Sequence, residues 1–233
     1  MALIGTAGWA IPAKYKYQFP AAGTHLERYA ARLNAVEINS SFYRPHQRKT
    51  YERWAASVPD EFRFTVKVPR SITHEHRLTD YDGLLDRFAG EVRGLGEKLG
   101  VLLVQLPPNL AYDAKTSAHF FRHLKKVGAA IACEPRHASW FTPQADAALK
   151  KLKVARVAAD PPRAAGDGEP GGWRGFAYYR LHGSPKIYYS DYTRAALKRL
   201  APKLSAQDWC MFDNTTGQAA LGNALTLSGL TGA

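Results

Sequence analysis

The sequence predicts an α/β fold: a single-domain (β/α)8 TIM barrel over residues 1–233, with an irregular loop replacing the helix after the sixth strand. Three observations lead there. Eight short apolar or β-branched runs alternate with longer amphipathic segments, the pattern of βα units feeding a parallel sheet. The 233 residues come close to the roughly 250 that an eightfold barrel uses. Each run also ends in or near polar residues at its C-terminal end, where barrel proteins place their chemistry.

In chain order the runs are 3–6 (LIGT), 35–38 (AVEI), 62–66 (FRFTV), 101–105 (VLLVQ), 131–134 (IACE), 154–158 (VARVA), 177–181 (AYYRL) and 209–212 (WCMF). Helices are expected over 24–33, 49–57, 81–99, 116–127, 144–152, 192–200 and 217–227. The first opens on Thr24 with Glu27 three residues later, the spacing of a capping box. The stretch 160–173, DPPRAAGDGEPGGW, is too rich in Pro and Gly for a helix and is expected to be a loop. No internal repeat or interdomain linker is visible.

Hydrophobic residues make up 45% and charged residues 22%, the balance of a globular domain. The opening residues lack a signal-peptide pattern and the longest apolar runs are too short to span a bilayer, so a cytoplasmic protein without membrane contact is expected. Cys133 and Cys210 lie in strand-like runs and read as buried thiols, not a disulfide or a metal site. The formal charge of +12 favours anionic partners and nonspecifically nucleic acid, although the basic residues are scattered and also suit a solvated surface.

The polar groups at the run ends are Thr6 and Trp9; Glu37, Asn39 and Ser41; Lys67; Gln105; Glu134, Arg136 and His137; Asp160; Arg180 and His182; and Asp213 and Asn214. Around them stand GTAGW at 5–9, VEINSSFYR at 36–44, FTVKVPRSITH at 64–74, LGVLLVQLPP at 99–108, CEPRHASW at 133–140, YYRLHG at 178–183 and FDNTTGQAALGNA at 212–224. In combination these motifs resemble the YecE-like family, the domain-of-unknown-function family numbered 72, over almost the whole chain. The resemblance implies a TIM barrel of unassigned activity. The chain departs from the family at Asp213, where Asn is common, and in a shorter region after Trp9.

Alternation puts Glu37, Asn39 and Ser41 on one face if the strand continues, and Lys67 in phase with Thr65 on the next strand. A Glu37–Lys67 ion pair is expected, either as a structural bridge or as a general base with a cationic partner whose pKa burial lowers. A Schiff-base role for Lys67 is a further option. Glu134, Arg136 and His137 offer a carboxylate, a guanidinium and an imidazole at one strand end, either for acid/base work beside an anion or to hold the loop. Arg180 and His182 alternate in phase, so both are expected at the same opening.

His74, Glu75 and His76 would permit a divalent metal with Glu37, Glu134, His137 and Asp160, but no tight ligand motif such as HExxH is present; no metal ligand or cofactor is assigned. The segment 213–217 leads into a helix whose first N–H groups suit an anion together with Arg180, His182, Arg136 and Lys186, or else merely caps that helix. An unpaired Asp213 there would repel the anion. Trp9 and Tyr43 are taken as aromatic lining. The expected catalytic set is thus Glu37, Lys67, Glu134, His137 and His182; the expected ligand-binding set is Thr6, Trp9, Asn39, Tyr43, Gln105, Arg136, Arg180, Asn214, Thr216 and Gly217. Together they point to an acid/base enzyme for a phosphorylated, sugar-like or nucleotide-like anion. A nucleic-acid-binding or -processing protein and a noncatalytic metabolite sensor are the alternatives.

Overall fold

A computed structural model of the chain describes residues 1–164 and 166–232; Ala165, within the expected loop, and Ala233 lie outside the described residues. The strands are β1 (Leu3–Thr6), β2 (Ala35–Ile38), β3 (Arg63–Lys67), β4 (Leu99–Gln105), β5 (Ala130–Glu134), β6 (Ala155–Arg156), β7 (Ala158–Asp160), β8 (Gly171–Gly172), β9 (Tyr178–Leu181) and β10 (Trp209–Phe212). They form two sheets, ordered β1-β10-β9-β7 and β2-β3-β4-β5-β6-β8. All pairings between these strands are parallel except β6 with β8. The chain is therefore α/β with parallel sheets, as the alternation of runs implied.

The sixth run is split. β6 pairs with β5 and β7 with β9, so one extended segment serves both sheets across Val157, whose N–H donates to the Cys133 carbonyl at 2.8 Å. At the other boundary Ala7 forms an isolated parallel bridge with Glu37, and the Gly8 N–H donates to the Glu37 carbonyl at 2.8 Å. The expected loop after this run holds no helix among its described residues, but it does contain β8, an antiparallel two-residue strand.

The helices are α1 (His25–Ala30), α2 (Arg48–Ala56), α3 (Asp82–Val92), α4 (Ala114–Leu124), α5 (Pro143–Lys151), α6 (Arg194–Leu200) and α7 (Ala220–Thr231). The Thr24/Glu27 capping box opens α1. Four of the expected helices miss an end by three or more residues, and two of these have a local cause. α3 gives way to a 3-10 turn over Arg93–Lys98, whose Gly96 (φ 55°) breaks the helical path, so the strand begins at Leu99. α7 starts at Ala220 and not at 217, because Gln218 adopts a left-handed φ of 55° and the Gly217 N–H is spent on the Tyr188 carbonyl at 2.9 Å. No helix among the described residues is long and apolar enough to cross a membrane.

Strand alternation sorts the apolar residues into two clusters. Ile4, Val36, Val66, Leu102, Val104, Cys133 and Phe212 meet the helices. Ala35, Val101, Leu103, Ala132, Val157, Tyr178, Trp209 and Met211 meet one another, drawing both sheets onto a common apolar interior. That interior is tight: a Cβ on Gly5 would lie 2.1 Å from the Ala35 carbonyl oxygen, and one on Gly100 would lie 2.4 Å from the Trp209 ring. Two residues further along the same faces, the apolar side chains give way to charged ones.

Candidate active site

Glu37, Lys67, Glu134, Arg180 and Asp213 follow the interior positions Ala35, Thr65, Ala132, Tyr178 and Met211 by two residues each, so the strand pleat aims them at one another. All five are buried. Arg180, at 0% exposure, is the hub. Its Nε donates to Glu37 Oε2 at 3.0 Å, its Nη2 to Glu37 Oε1 at 2.7 Å, and its Nη1 to Glu134 Oε2 at 3.1 Å; Asp213 Oδ2 lies 3.0 Å from Nη2. Tyr178 donates its hydroxyl to Glu37 at 3.1 Å. His182, one pleat beyond Arg180, places Nε2 2.9 Å from Glu134 and Nδ1 3.0 Å from Asp213. Two carboxylates facing two ring nitrogens call for an imidazolium, since each nitrogen must donate.

The charges hold one another. Burial pushes the Glu134 carboxyl up, but Arg180, His182 and Arg136 outweigh it and hold the group well below the usual range. Asp213 is likewise pushed up by burial and brought down by Arg180 and His182. For His182 burial acts downward and Arg180 opposes the charge, yet Glu134 and Asp213 raise it overall. Burial and Glu37 keep the Tyr178 phenol protonated.

Two cations at the strand ends are less well served. Lys67, 4% exposed, has no carboxylate within ion-pair distance among the described residues; its ammonium lies 4.0 Å from the centre of the Phe42 ring. Burial, reinforced by Arg180, lowers its pKa to about 8 against the pull of Glu37, Glu134 and Asp213. Arg136 donates to Glu134 at 2.7 Å, while its Nε is buried without an acceptor. The Asn39 Oδ1 is also buried without a donor, and so is Oδ1 of Asp167, whose carboxyl burial raises to about 6. His74 is lowered first by burial and then by Lys67, Arg70 and Arg136, which marks the local field as positive.

The profile of the family described as "Protein of unknown function DUF72" matches residues 3–233. The chain belongs to the DUF72 family. It is 32% identical over 107 residues to the UPF0759 protein YecE of Escherichia coli K12, a stretch covering 46% of this chain and 38% of that relative, so the match spans well under half the relative's length. The crystal structure of a DUF72 family protein from Enterococcus faecalis V583 superposes with a TM-score of 0.81 at 20% identity, covering 100% of this chain and 96% of that one. A sugar phosphate isomerase/epimerase from Parabacteroides distasonis shares the fold more distantly, with a TM-score of 0.55, 12% identity and coverage of 98% and 94%.

Within this DUF72 chain the expected site residues separate into groups. Glu37, Lys67, Glu134, Arg136, Arg180 and His182 converge, and Gln105 is in register with Glu134; Asn39 precedes the turn over 40–42 with its Oδ1 buried and unpartnered. The expected Glu37–Lys67 pair does not form. Glu37 stands opposite Thr65, one pleat below Lys67, and Arg180 occupies both of its oxygens. Ser41 leaves the expected face because 40–42 turn into a 3-10 helix, which sets the Ser41 hydroxyl on the Lys67 carbonyl at 2.7 Å and Phe42 against the Lys67 ammonium.

His137 lies one residue out of phase with Glu134 and Arg136, and caps the turn over Ala138–Phe141 by accepting the Ser139 N–H at 3.2 Å. Thr6 faces α1 and pairs with the Tyr29 hydroxyl at 3.0 Å; Trp9 stacks edge-on with Trp54 at 5.0 Å. Tyr43 is 68% exposed and edge-on to Phe42. The anion pocket expected at 213–217 is not built. Arg180 is enclosed by carboxylates, Asn214 turns to Asn223 on α7 with a 2.9 Å bond, and the Gly217 N–H is already bonded, leaving Thr216 on an exposed turn. Asp213 is paired and not repulsive.

Among the described residues no group of three or more His, Cys, Asp and Glu is arranged to hold a metal ion. His74 bonds Thr73 at 2.8 Å and Glu75 pairs with Arg70 at 3.0 Å, which draws both from the ligand set that the sequence permitted. Sequence reasoning missed Tyr178 and Asp167, and it read Phe42 as a loop aromatic for stacking and not as the partner of the Lys67 ammonium. Tyr178 was findable, being in phase with Arg180 and His182 in YYRLH; Asp167 sits in a Pro/Gly-rich stretch that carries no periodicity.

Proposed function

We propose that this chain is a closed eight-stranded (β/α)8 barrel, one domain over residues 1–233, and an enzyme that moves protons on an anionic small molecule, phosphorylated or sugar-like, at the C-terminal ends of its strands. The supporting observation is two poorly served cations at the strand ends, a buried Lys67 without a carboxylate partner and an Arg136 whose Nε lacks an acceptor, both close enough to His74 to depress its pKa. A buried donor without an acceptor is costly, and an anion supplies what both groups lack. Closure is supported by the Ala7–Glu37 bridge and by the split sixth strand, which together join the edges of the two sheets.

The roles follow from access. Glu37, Arg180, Glu134, His182 and Asp213 saturate one another and act as a rigid charged frame. Arg136 holds the anion. Lys67, with a pKa of about 8, has enough neutral amine near neutral pH to accept a proton from the bound ligand and, as the ammonium, to return it at a neighbouring atom. Such a transfer balances as an isomerisation and needs no co-reactant. No cofactor enters the scheme.

Phosphorylated and carboxylated metabolites incubated with the protein in D2O and followed by proton NMR test this reading. Wild type should exchange a carbon-bound proton of a bound ligand with solvent, and Lys67→Met, which binds more weakly, should not exchange it even at ligand concentrations that saturate the variant. Binding without exchange in wild type would make the protein a sensor. A second reading rests on the +12 charge, which favours nucleic acid; its signature is binding that falls steeply with salt.

A further inference from the structure

Tyr188 adopts a left-handed φ of 69°, a conformation that costs energy for an aromatic residue. The strain is held from both sides: the Tyr188 N–H donates to the His182 carbonyl at 2.6 Å, and its own carbonyl accepts the Gly217 N–H at 2.9 Å. The result is a ring set edge-to-face with His182, the centroids 5.8 Å apart, while the residue stays 38% exposed. Here one side of the ring meets the imidazole and part of it remains open to solvent.

His182 in turn lies 3.4 Å from the Arg136 guanidinium, the group with the unpartnered Nε. An aromatic ring and an unsatisfied cation thus adjoin the same imidazole, a pairing that suits a ligand with a planar group and a phosphate. Gln105, half-buried and in register with Glu134, and Asn39, whose Oδ1 lacks a donor, are the neutral polar groups at these strand ends that hydroxyls could use. Resting on the anion site proposed above, we infer that the ligand is a nucleoside 5′-monophosphate moiety, its base stacked on Tyr188 and its phosphate on Arg136 and Lys67.

Calorimetric titration of the full chain with inorganic phosphate, ribose 5-phosphate, a nucleoside 5′-monophosphate and a 5′-phosphorylated tetranucleotide tests this. Stacking of one base on one ring should make the nucleotide bind about five- to a hundredfold tighter than ribose 5-phosphate. Tyr188→Asn, which tolerates the left-handed backbone, should erase that preference and leave the phosphate affinity within about twofold. Tyr188→Phe should keep it. Tighter binding of the tetranucleotide than of the free nucleotide would assign the moiety to a strand end. Equal affinities for nucleotide and ribose 5-phosphate in wild type, or a preference that survives Tyr188→Asn, would overturn the inference while leaving the anion site standing. Failure of all four to bind would overturn the anion site and this inference with it.

Discussion

Replacing Arg180 by Met removes the one guanidinium that serves three buried carboxylates, Glu37, Glu134 and Asp213. Methionine fills much of the volume, so the loss is mainly electrostatic. Taking one partner from a buried ion pair costs about 3–5 kcal/mol, because the other is left charged in a poorly solvating interior. For a chain of this size each kcal/mol lowers the melting temperature by about 2–4 °C, so a fall of roughly 6–20 °C is expected by circular dichroism. An internal control is Arg48→Met, which breaks an exposed pair with Glu52 and should cost under about 1 kcal/mol. The penalty should also shrink in acid. Glu134 and Asp213 are held low in the wild type, so its stability from them is present above their ordinary pKa values and is lost as pH falls through the lowered ones. In the variant the same carboxyls titrate higher and protonation relieves them. A loss below about 1 kcal/mol, or a gap that stays constant between about pH 7 and pH 4, would refute the reasoning.

Lys67→Met should raise stability, by about 1–3 kcal/mol near neutral pH in urea unfolding, because burial disfavours the ammonium. With a folded pKa of about 8, below its ordinary value, wild-type stability from this group should rise as pH climbs from about 8 through the ordinary lysine range, and the variant should lack that rise. His182→Gln should alter the pH profile in the opposite sense. A raised imidazole stabilises fully below its ordinary pKa and loses this as pH rises through the folded value, so the decline above about pH 6.5 should be absent from the variant's denaturation midpoints. Gly5→Ala would press a methyl to 2.1 Å from the Ala35 carbonyl oxygen, and thermal unfolding should register a loss of about 1–3 kcal/mol.

The strands were legible because each carries a short apolar run with its own boundary residues, and seven of the eight runs match a strand to within two residues at either end. The eighth, VARVA, is one run in the sequence but two short strands in space, since its neighbours on either side belong to different sheets. The charged cluster was legible through phase: Glu37, Lys67, Glu134, Arg180 and His182 stand two residues beyond apolar or polar positions of the same face. Pairing was not. Glu37 chose Arg180, 143 residues away, over the adjacent-strand Lys67, a choice set by register and side-chain reach. Loops were least legible. Nothing in NTTGQ announces that Gln218 turns left-handed and delays α7, or that Asn214 bonds Asn223 and the Gly217 N–H bonds Tyr188, which together remove the anion pocket expected at Thr216 and Gly217.

The central claim, that Lys67 and Arg136 form an anion site, is tested most directly by titrating inorganic phosphate into wild type, Lys67→Met, Arg136→Met and the control Lys150→Met, an exposed residue on α5, with binding followed by calorimetry. Each charge-assisted hydrogen bond is worth about 1.5–3 kcal/mol, so each of the first two variants should bind roughly ten- to a hundredfold more weakly, while the control stays near wild type. Affinities in Lys67→Met and Arg136→Met equal to that of the wild type would contradict the account.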